Sequence, residues 1–215
     1  MTTLVKICGL KTADALDAAL AGGADMIGLV FYPPSPRSLS PDAAAVLAER
    51  ARGRARIVAL VVDTDDALLA EIASKVAPDL FQLHGAETVA RCRDIKRRYG
   101  VPVMKAIKVE AATDAETALA YAPVCERILF DAKAPEGLAG ALPGGNGLSF
   151  DWRALEAVKH RVDYMLSGGL TPDNVATAIR LTGARAVDVS SGVETSPGVK
   201  GPGLIAKFLA AAKAA

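Results

Sequence analysis

The sequence has few of the residues that build metal centres and disulfide frameworks. Its 215 residues include three cysteines, two histidines and one tryptophan. Three widely spaced cysteines are an odd number, which does not suit a disulfide framework or a zinc site. The two histidines, His84 and His160, are too few and too distant in sequence to propose a metal centre. We therefore expect neither a metal nor a cofactor.

An excess of one charge sign is also lacking, since 25 basic side chains oppose 24 acidic ones. A nucleic-acid-binding surface needs a basic excess, so no nucleic-acid partner is expected. The longest apolar runs, such as 57–62, have the length of a strand and fall far short of a membrane span. No charged segment precedes an apolar one at the N-terminus, which predicts no signal peptide and a cytoplasmic location.

Apolar segments of strand length alternate with helical segments along the whole chain. The chain is long enough for one domain and short for two, and 51% of its residues are hydrophobic. We therefore expect one domain over residues 1–215. The predicted strands are 4–8, 26–31, 57–62, 80–83, 101–107 and 127–131, followed by one strand that runs into Ser167 and one that runs into Ser190.

Helix signals follow each of these strands. Thr12 and Ser40 are expected helix caps, and Pro41 suits a first helical turn. The other predicted helices begin after Asp63 or Thr64, at residues 87 and 114, at Asp151-Trp152, at Thr171-Pro172 and at residue 204.

Continuous apolar strands separated by helices predict a parallel sheet covered by helices, which is an α/β fold. Eight such units favour closure into a (β/α)₈ barrel, a TIM barrel. An open doubly wound sheet is the competing architecture. It is weakened because no G-x-G-x-x-G motif follows the first strand.

Polar residues stand at the strand ends, where a barrel places its chemistry. Each has a plain structural alternative: a cysteine at a strand end is usually packed, an aspartate there often caps a helix, and a histidine often lines a wall. Asp131 is harder to explain structurally, because it precedes an irregular stretch from 132 to 149 that is long enough to suggest function. The candidates are Cys8, Arg37, Asp63, Gln82, His84, Lys105, Asp131, Ser167, Asp188, Ser190 and Ser191.

Two neighbouring strands end in small residues, at 167–169 and at 190–192. Glycine lets a backbone approach an anion closely, and the N-terminus of a following helix offers N–H groups. Eight-fold barrels commonly bind phosphate after strands seven and eight. These two turns therefore predict a phosphate site.

Cys8 and Asp131 end strands that lie three steps apart around an eight-stranded ring. Their side chains can therefore face each other across the mouth as a base and an acid. A phosphosugar anchored at the phosphate site would lie between them. Lys6 is expected on the opposite side of its strand from Cys8, so it is not an expected activator of the thiol.

A set of short motifs is spread from residue 6 to residue 200. The motifs are Lys6-Ile7-Cys8-Gly9, Gly28-Leu29-Val30-Phe31, Ser35-Pro36-Arg37, Gln82-Leu83-His84-Gly85, Phe130-Asp131, Gly147-Leu148-Ser149-Phe150-Asp151-Trp152, Leu166-Ser167-Gly168-Gly169-Leu170, Pro172, Asn174-Val175, Asp188-Val189-Ser190-Ser191-Gly192-Val193-Glu194, Pro197-Gly198 and Lys200. In kind and order they resemble the phosphoribosylanthranilate isomerase family of tryptophan biosynthesis. The Lys-Ile-Cys-Gly start together with the Ser-Ser-Gly-Val-Glu end is the specific part.

The resemblance implies an Amadori rearrangement of N-(5'-phosphoribosyl)anthranilate, with Cys8 as general base and Asp131 as general acid. It implies a small-molecule phosphosugar substrate and a monomer or homodimer. Substrate contacts are expected from Arg37, Gln82, His84 and Asp188. Phosphate contacts are expected from Gly145, Asn146, Gly147, Ser167, Gly168, Gly169, Ser190, Ser191 and Gly192.

Two positions depart from the family pattern. Gly201 stands where the family usually has an acidic residue, and Asn146 stands where Thr or Ser is more usual. Both departures leave the expected acid and base untouched.

Three alternatives stay open on the sequence. One is a Schiff-base lyase or aldolase that uses Lys105 on the fifth strand. Another is a phosphate-binding barrel without catalysis. The third is an isomerase that also opens the related histidine-pathway aminal, although those enzymes typically place an aspartate at the position of Cys8.

Overall fold

Eight parallel strands close into a barrel in the computed structural model, which describes residues 2–135 and 142–215. Each strand pairs with the next in sequence, and the first pairs with the last through Leu4 with Ala186 and Val5 with Val187. The predicted TIM barrel is thereby confirmed, and the open sheet is not. The strands are β1 (Leu4–Cys8), β2 (Met26–Phe31), β3 (Arg56–Val61), β4 (Leu80–Leu83), β5 (Val103–Val109), β6 (Arg127–Ala132), β7 (Tyr164–Leu166) and β8 (Ala186–Val189).

Helices cover the outside of the barrel. Thr12 and Ser40 accept hydrogen bonds from the backbone N–H three residues on, as predicted for helix caps. A 3₁₀ helix at Trp152–Leu155 takes the place of the predicted sixth helix. The α-helices are α1 (Ala13–Ala21), α2 (Pro41–Ala51), α3 (Asp66–Lys75), α4 (Val89–Tyr99), α5 (Ala112–Glu116), α6 (Ala118–Tyr121), α7 (Val175–Thr182) and α8 (Pro202–Lys213).

Five predicted helix starts differ from the structure. Helix α4 begins at Val89, α5 at Ala112 and α8 at Pro202, each two residues from the predicted start, and α3 and α7 begin later than predicted. Helix α3 is capped by Asp65, whereas Asp63 lies at φ 46° and accepts from the N–H of Ala86. Helix α7 begins after Asn174, because its side chain closes a turn by accepting from the N–H of Thr171.

A two-stranded antiparallel hairpin between β8 and α8 has no counterpart in the sequence prediction. It consists of β9 (Glu194–Ser196) and β10 (Val199–Lys200). Pro197-Gly198 forms the turn, and Gly198 adopts φ 79°. A Pro-Gly pair between two short segments is a turn signal that could have revealed this hairpin.

The inside of the barrel has an apolar floor. Each residue two positions beyond a floor residue faces the same way, because side chains alternate along a strand. Gln82, Asp131 and Asp188 lie two positions beyond Leu80, Leu129 and Ala186 of the floor. Their side chains therefore also face the inside of the barrel. The floor is formed by Met26, Val58, Leu80, Met104, Ala106, Leu129, Met165 and Ala186.

The larger apolar core lies between the outer faces of the strands and the helices, where it includes Phe81, Phe130 and Phe208. No helix within residues 2–135 and 142–215 is long and apolar enough to cross a membrane.

Candidate active site

One cavity opens at the carboxyl ends of the strands. All the side chains and turns that the sequence predicts for catalysis, substrate binding and phosphate binding line it. The fold thus brings together residues that are up to 184 positions apart, from 8 to 192. They are Cys8, Arg37, Gln82, His84, Asp131, Gly145, Asn146, Gly147, Ser167, Gly168, Gly169, Asp188, Ser190, Ser191 and Gly192.

Two candidates from the strand ends do not line this cavity. Asp63 and Lys105 line a separate groove on the rim of the barrel. Lys105 lies between the inward-facing Met104 and Ala106, so its side chain points outward. Its Nζ donates to the oxygens of Leu83 and Gly85 at 3.3 and 2.7 Å, and it forms an ion pair with Glu87 at 3.1 Å.

Lys105 is therefore a buried structural cation. It is not a free amine in the cavity, so the expectation of a lyase that works through this lysine has no support in the structure.

Cys8 lies at the mouth end of β1 and is 3% exposed. Lys6 faces the same side as Cys8, and its Nζ donates to Asp188 Oδ1 at 2.9 Å. The expectation that Lys6 points away from Cys8 is wrong, because residues two apart on a strand share a face. Burial raises the pKa of the Cys8 thiol, and the Lys6 cation opposes that rise.

Asp188 keeps Lys6 charged. Burial by itself favours a neutral lysine, but the Asp188 carboxylate outweighs burial, so the pKa of Lys6 lies above its usual value. The second oxygen of Asp188, Oδ2, accepts from Ser167 Oγ at 3.4 Å. A fixed cation–anion pair therefore lies directly beneath the thiol.

Asp131 ends β6 and contacts His84 across the cavity floor, with Oδ2 and Nε2 at 3.2 Å. Its Oδ1 accepts from the N–H of Ala132 at 3.0 Å. Gln82 Nε2 lies 2.9 Å from His84 Nδ1. With Gln82 as donor, Nδ1 is the acceptor and the imidazole proton is on Nε2, where it points at the Asp131 carboxyl.

Gln82 Oε1 is buried and has no hydrogen-bond partner among the described residues. A buried amide oxygen without a partner is costly. Gln82 Oε1 can therefore accept a hydrogen bond from a donor outside the described residues.

Arg37 comes from the loop after β2 and is 5% exposed. Its Nε and Nη2 each donate to Glu194 at 2.8 Å, and Nη2 also donates to the oxygen of Gly145 at 3.1 Å. Nη1 has no hydrogen bond among the described residues, and a side chain at position 145 would meet it at 2.7 Å. The guanidinium thus has one edge fixed by protein and one nitrogen left as a donor.

Glu194 and Lys200 have no assigned role in the sequence prediction, although both belong to its motifs. Lys200 Nζ donates to Glu194 Oε1 at 2.8 Å and to the oxygen of Ser190 at 2.9 Å. Burial would raise the pKa of Glu194, but its bonds to Arg37 and Lys200 hold that pKa at about 2. Burial lowers the pKa of Lys200, and Glu194 opposes this fall.

The turns after β7 and β8 pack against each other through their backbones. Gly168 and Gly169 have φ 87° and 63°, which other residues rarely adopt. A Cβ at Gly192 would lie 1.8 Å from the oxygen of Leu170. The N–H groups of Gly168, Gly169 and Gly192 have no acceptor among the described residues, so they are available to an anion.

Part of the long irregular stretch covers the cavity. A side chain on Gly144 would meet both Asp131 Oδ2 and His84 Nε2 at 2.7 Å. Asn146 bonds to the backbone of Leu142 in both directions, at 3.0 and 2.7 Å. Its side chain therefore closes its own turn. Residues 136–141 of the stretch lie outside the described residues.

An apolar wall that the sequence analysis did not identify stands beside Cys8. It could have been read from the inward positions of β2 and β3. Its members are Val30, Tyr32, Leu60 and Val62.

The family model for N-(5'phosphoribosyl)anthranilate (PRA) isomerase matches residues 5–211. Two similar proteins, from Bradyrhizobium and Rhizobium meliloti, are both named N-(5'-phosphoribosyl)anthranilate isomerase. Each is 54% identical over all of this chain, which spans 97% of the first and 99% of the second.

Solved structures agree with the sequence relatives. Phosphoribosyl anthranilate isomerase from Thermotoga maritima superposes with a TM-score of 0.88 at 36% identity, over 99% of this chain and 100% of that one. A phosphoribosyl anthranilate isomerase in complex with reduced 1-(o-carboxyphenylamino)-1-deoxyribulose 5-phosphate gives a TM-score of 0.86 at 34% identity, with the same coverage.

Proposed function

The chain belongs to the N-(5'-phosphoribosyl)anthranilate isomerase family, and from that premise we propose how its own residues perform the reaction. The activity is the Amadori rearrangement of N-(5'-phosphoribosyl)anthranilate to 1-(2-carboxyphenylamino)-1-deoxyribulose 5-phosphate, a step of tryptophan biosynthesis. The reaction opens an aminoribose ring and moves a proton from C2. It therefore needs an acid at the ring oxygen and a base at C2.

We assign the acid to Asp131 and the base to Cys8. The observation that carries this assignment is that both side chains face one cavity from strands β6 and β1, beside turns suited to a phosphate. A protonated Asp131 gives its proton to the ring oxygen, and the C–O bond breaks to leave an iminium. The electrons left by the C2 proton are delocalised into that C=N bond, so the Cys8 thiolate can remove the proton.

The surroundings of each group support its part. Lys6 offers a fixed positive charge to the Cys8 thiolate, and the substrate iminium adds a second one during the reaction. His84 holds the Asp131 carboxyl in place, and Gln82 in turn holds the imidazole ring. We infer that Gln82, His84 and Asp188 also contact the substrate between its two anionic ends.

The remaining cavity matches the other parts of the substrate. Free N–H groups at Gly168, Gly169 and Gly192 suit the phosphate, with Ser167, Ser190, Ser191 and residues 145–147 around it. The free Nη1 of Arg37 suits the anthranilate carboxylate. The apolar wall beside Cys8 suits the aromatic ring.

We also propose that residues 1–215 act as one domain, in the cytoplasm, as a monomer or homodimer without nucleic-acid or membrane partners. Three buried free cysteines fit a reducing compartment. One relative from Thermotoga maritima is described as dimeric. Light scattering of the eluted protein, which gives the mass of one chain or of two, decides between monomer and homodimer.

The assignment of acid and base is tested with Cys8→Ser and Asp131→Asn, assayed by the fluorescence change from freshly made substrate to product. Each variant should lower kcat by at least about 10²-fold, because a serine hydroxyl supplies almost no anion and an asparagine has no acidic proton. Cys125→Ser is a matched control, since it makes the same change at a buried thiol outside the cavity.

Wild-type kcat in Cys8→Ser would leave Cys8 as a packed strand-end residue. The same result in Asp131→Asn would remove the acid. Binding without turnover by the wild-type protein would instead favour a phosphate-binding barrel.

A further inference from the structure

A buried ion cluster joins the two ends of the cavity. Its charged members are Arg37, Glu194 and Lys200, whose side chains are 6%, 5% and 1% exposed. Two cations share one anion, so the cluster carries one positive charge that no carboxylate within it offsets. A ligand anion at the cavity would offset that charge.

Glu194 is the centre of the cluster. Its two oxygens accept from Arg37 Nε and Nη2 and from Lys200 Nζ, all at 2.8 Å, and from the N–H of Gly198 at 3.2 Å. Both oxygens are therefore fully engaged by protein, which leaves this carboxylate no direct part in proton transfer. Its effect on the site must pass through the groups that it holds.

The grip on Arg37 determines where the free nitrogen points. A guanidinium is planar, so fixing the Nε and Nη2 edge fixes the direction of Nη1 as well. Without that grip, a long arginine side chain explores many rotamers, and its ordering on binding costs free energy. Glu194 removes that cost in advance.

Lys200 connects the same carboxylate to the phosphate end. Its Nζ donates to the oxygen of Ser190 at 2.9 Å and to Ser190 Oγ at 3.1 Å. Ser190 Oγ in turn donates to the oxygen of Cys8 at 3.2 Å. The phosphate turn and the strand of the base are thus tied to Glu194 through one lysine.

The hairpin that carries Glu194 and Lys200 packs against the loop that carries Arg37. A Cβ on Gly198 would lie 2.7 Å from the oxygen of Pro36, so the turn and the loop are in close backbone contact. The turn of the hairpin and the loop that carries Arg37 are therefore packed directly against each other.

We propose that Glu194 and Lys200 are positioning residues that aim Arg37 Nη1 and fix the separation between the carboxylate-binding and phosphate-binding ends of the cavity. The inference rests on the proposed function, because it takes Arg37 as the group that holds the anthranilate carboxylate. It adds a specificity device: the enzyme selects substrates whose two anions stand at the separation that this cluster sets.

Glu194→Gln tests the proposal with two substrates, N-(5'-phosphoribosyl)anthranilate and the same compound without its carboxylate, N-(5'-phosphoribosyl)aniline. For the first, kcat/KM should fall by about 10- to 100-fold, as for a lost charge-assisted hydrogen bond, mainly through KM. For the second, kcat/KM should change by less than about threefold. A merely structural role of Glu194 would impair both substrates alike.

A double-variant cycle gives a second readout. In an Arg37→Ala background, Glu194→Gln should have little further effect on kcat/KM, because the group it positions is gone. Glu126→Gln is the matched control, since Glu126 also holds an arginine, Arg56, with both oxygens, at the opposite end of the barrel. It should leave both substrates unaffected.

Removing one buried carboxylate leaves two cations unpaired, which could prevent folding. The variant Glu194→Gln with Lys200→Met removes one charge of each sign. It should weaken both substrates through the lost bonds of Lys200 to Ser190, and it should weaken the carboxylate substrate further because Arg37 loses its hold as well. Equal losses for both substrates in this variant, or additive effects of Glu194→Gln and Arg37→Ala, would overturn the proposal.

The outcomes separate this inference from the function beneath it. A wild-type protein that does not turn over N-(5'-phosphoribosyl)anthranilate refutes the proposed function. Wild-type kinetics in Arg37→Ala refute the role of Arg37. A loss in Arg37→Ala together with wild-type kinetics in Glu194→Gln overturns the positioning role alone.

Discussion

Two buried lysines, Lys6 and Lys105, differ in the side of the barrel wall that they face. Lys6 lies inside and pairs with Asp188 beneath Cys8, whereas Lys105 lies outside and pairs with Glu87. Both are at most 4% exposed. At the scale of a residue, the parity of a strand position therefore decides whether a lysine faces the inside of the barrel or the helices outside it.

The environment of Cys8 predicts the pH dependence of the reaction. In the proposed function Cys8 is the base and must be deprotonated. Burial raises the pKa of Cys8, and Lys6 only partly opposes this rise. The rate constant kcat/KM should therefore rise with pH through the neutral range and still be rising near pH 8, since an ordinary thiol has a pKa of about 8.5.

Cys8→Asp provides the comparison, because a carboxyl has an ordinary pKa of about 3.9 and retains a base. Its kcat/KM should be nearly constant across the neutral range, although lower. In Cys125→Ser, kcat/KM should rise with pH as it does in the wild type. If kcat/KM of Cys8→Asp rises with pH as in the wild type, the titrating group is not Cys8.

Residue-level reasoning located the cavity well, because strand ends of a parallel barrel must meet at one face. The predicted direction of the Lys6 side chain was wrong, because residues 6 and 8 are two positions apart and face the same side of the strand. Residue-level reasoning also gave no role to Glu194 and Lys200. Glu194 meets Arg37 only because the hairpin packs against the loop after β2. No local sequence pattern encodes that packing.

At the scale of elements, the turns after β7 and β8 depend on residues without side chains. Gly169→Val should raise KM strongly, because a Cβ at this φ of 63° would meet the backbone of Leu148 at 2.9 Å and displace the turn that is proposed to hold the phosphate. Michaelis constants of the folded variant, checked by circular dichroism, measure this.

Gly203 in α8 offers the contrast, since a Cβ there would meet nothing within 4 Å. Gly203→Ala should leave KM unchanged and should not destabilise the protein, because alanine favours a helix over glycine by up to about 1 kcal/mol. An unchanged KM in Gly169→Val would remove this turn from phosphate binding.

The first residue of a helix was predictable where a single capping side chain directly precedes the helical apolar pattern, as at Thr12 and Ser40. It was not predictable where two polar residues compete, as at Asp63 and Asp65 before α3. Asp63 bonds instead to the N–H of Ala86 in the next loop. Such long-range partners are absent from a local sequence pattern.

At the scale of the whole molecule, the pairing of β1 with β8 makes every strand of the barrel an interior strand. Detaching any strand of the barrel breaks its hydrogen bonds to two neighbouring strands, so unfolding should be one cooperative event. Urea unfolding followed by Trp152 fluorescence and by far-ultraviolet circular dichroism should give the same midpoint and slope. A fluorescence transition that precedes the loss of circular dichroism would show that the segment around Trp152 unfolds separately.

The burial of the Arg37–Glu194–Lys200 cluster has a consequence for the ionic strength at which the enzyme works. Dissolved ions screen exposed charges over about 8 Å at physiological salt, but they screen buried charges much less. A surface patch of lysines would lose its attraction for a doubly anionic substrate as salt is added. The cluster is buried behind the hairpin, and in the proposed function backbone N–H groups hold the phosphate, so KM should vary little between about 0.05 and about 0.5 M potassium chloride.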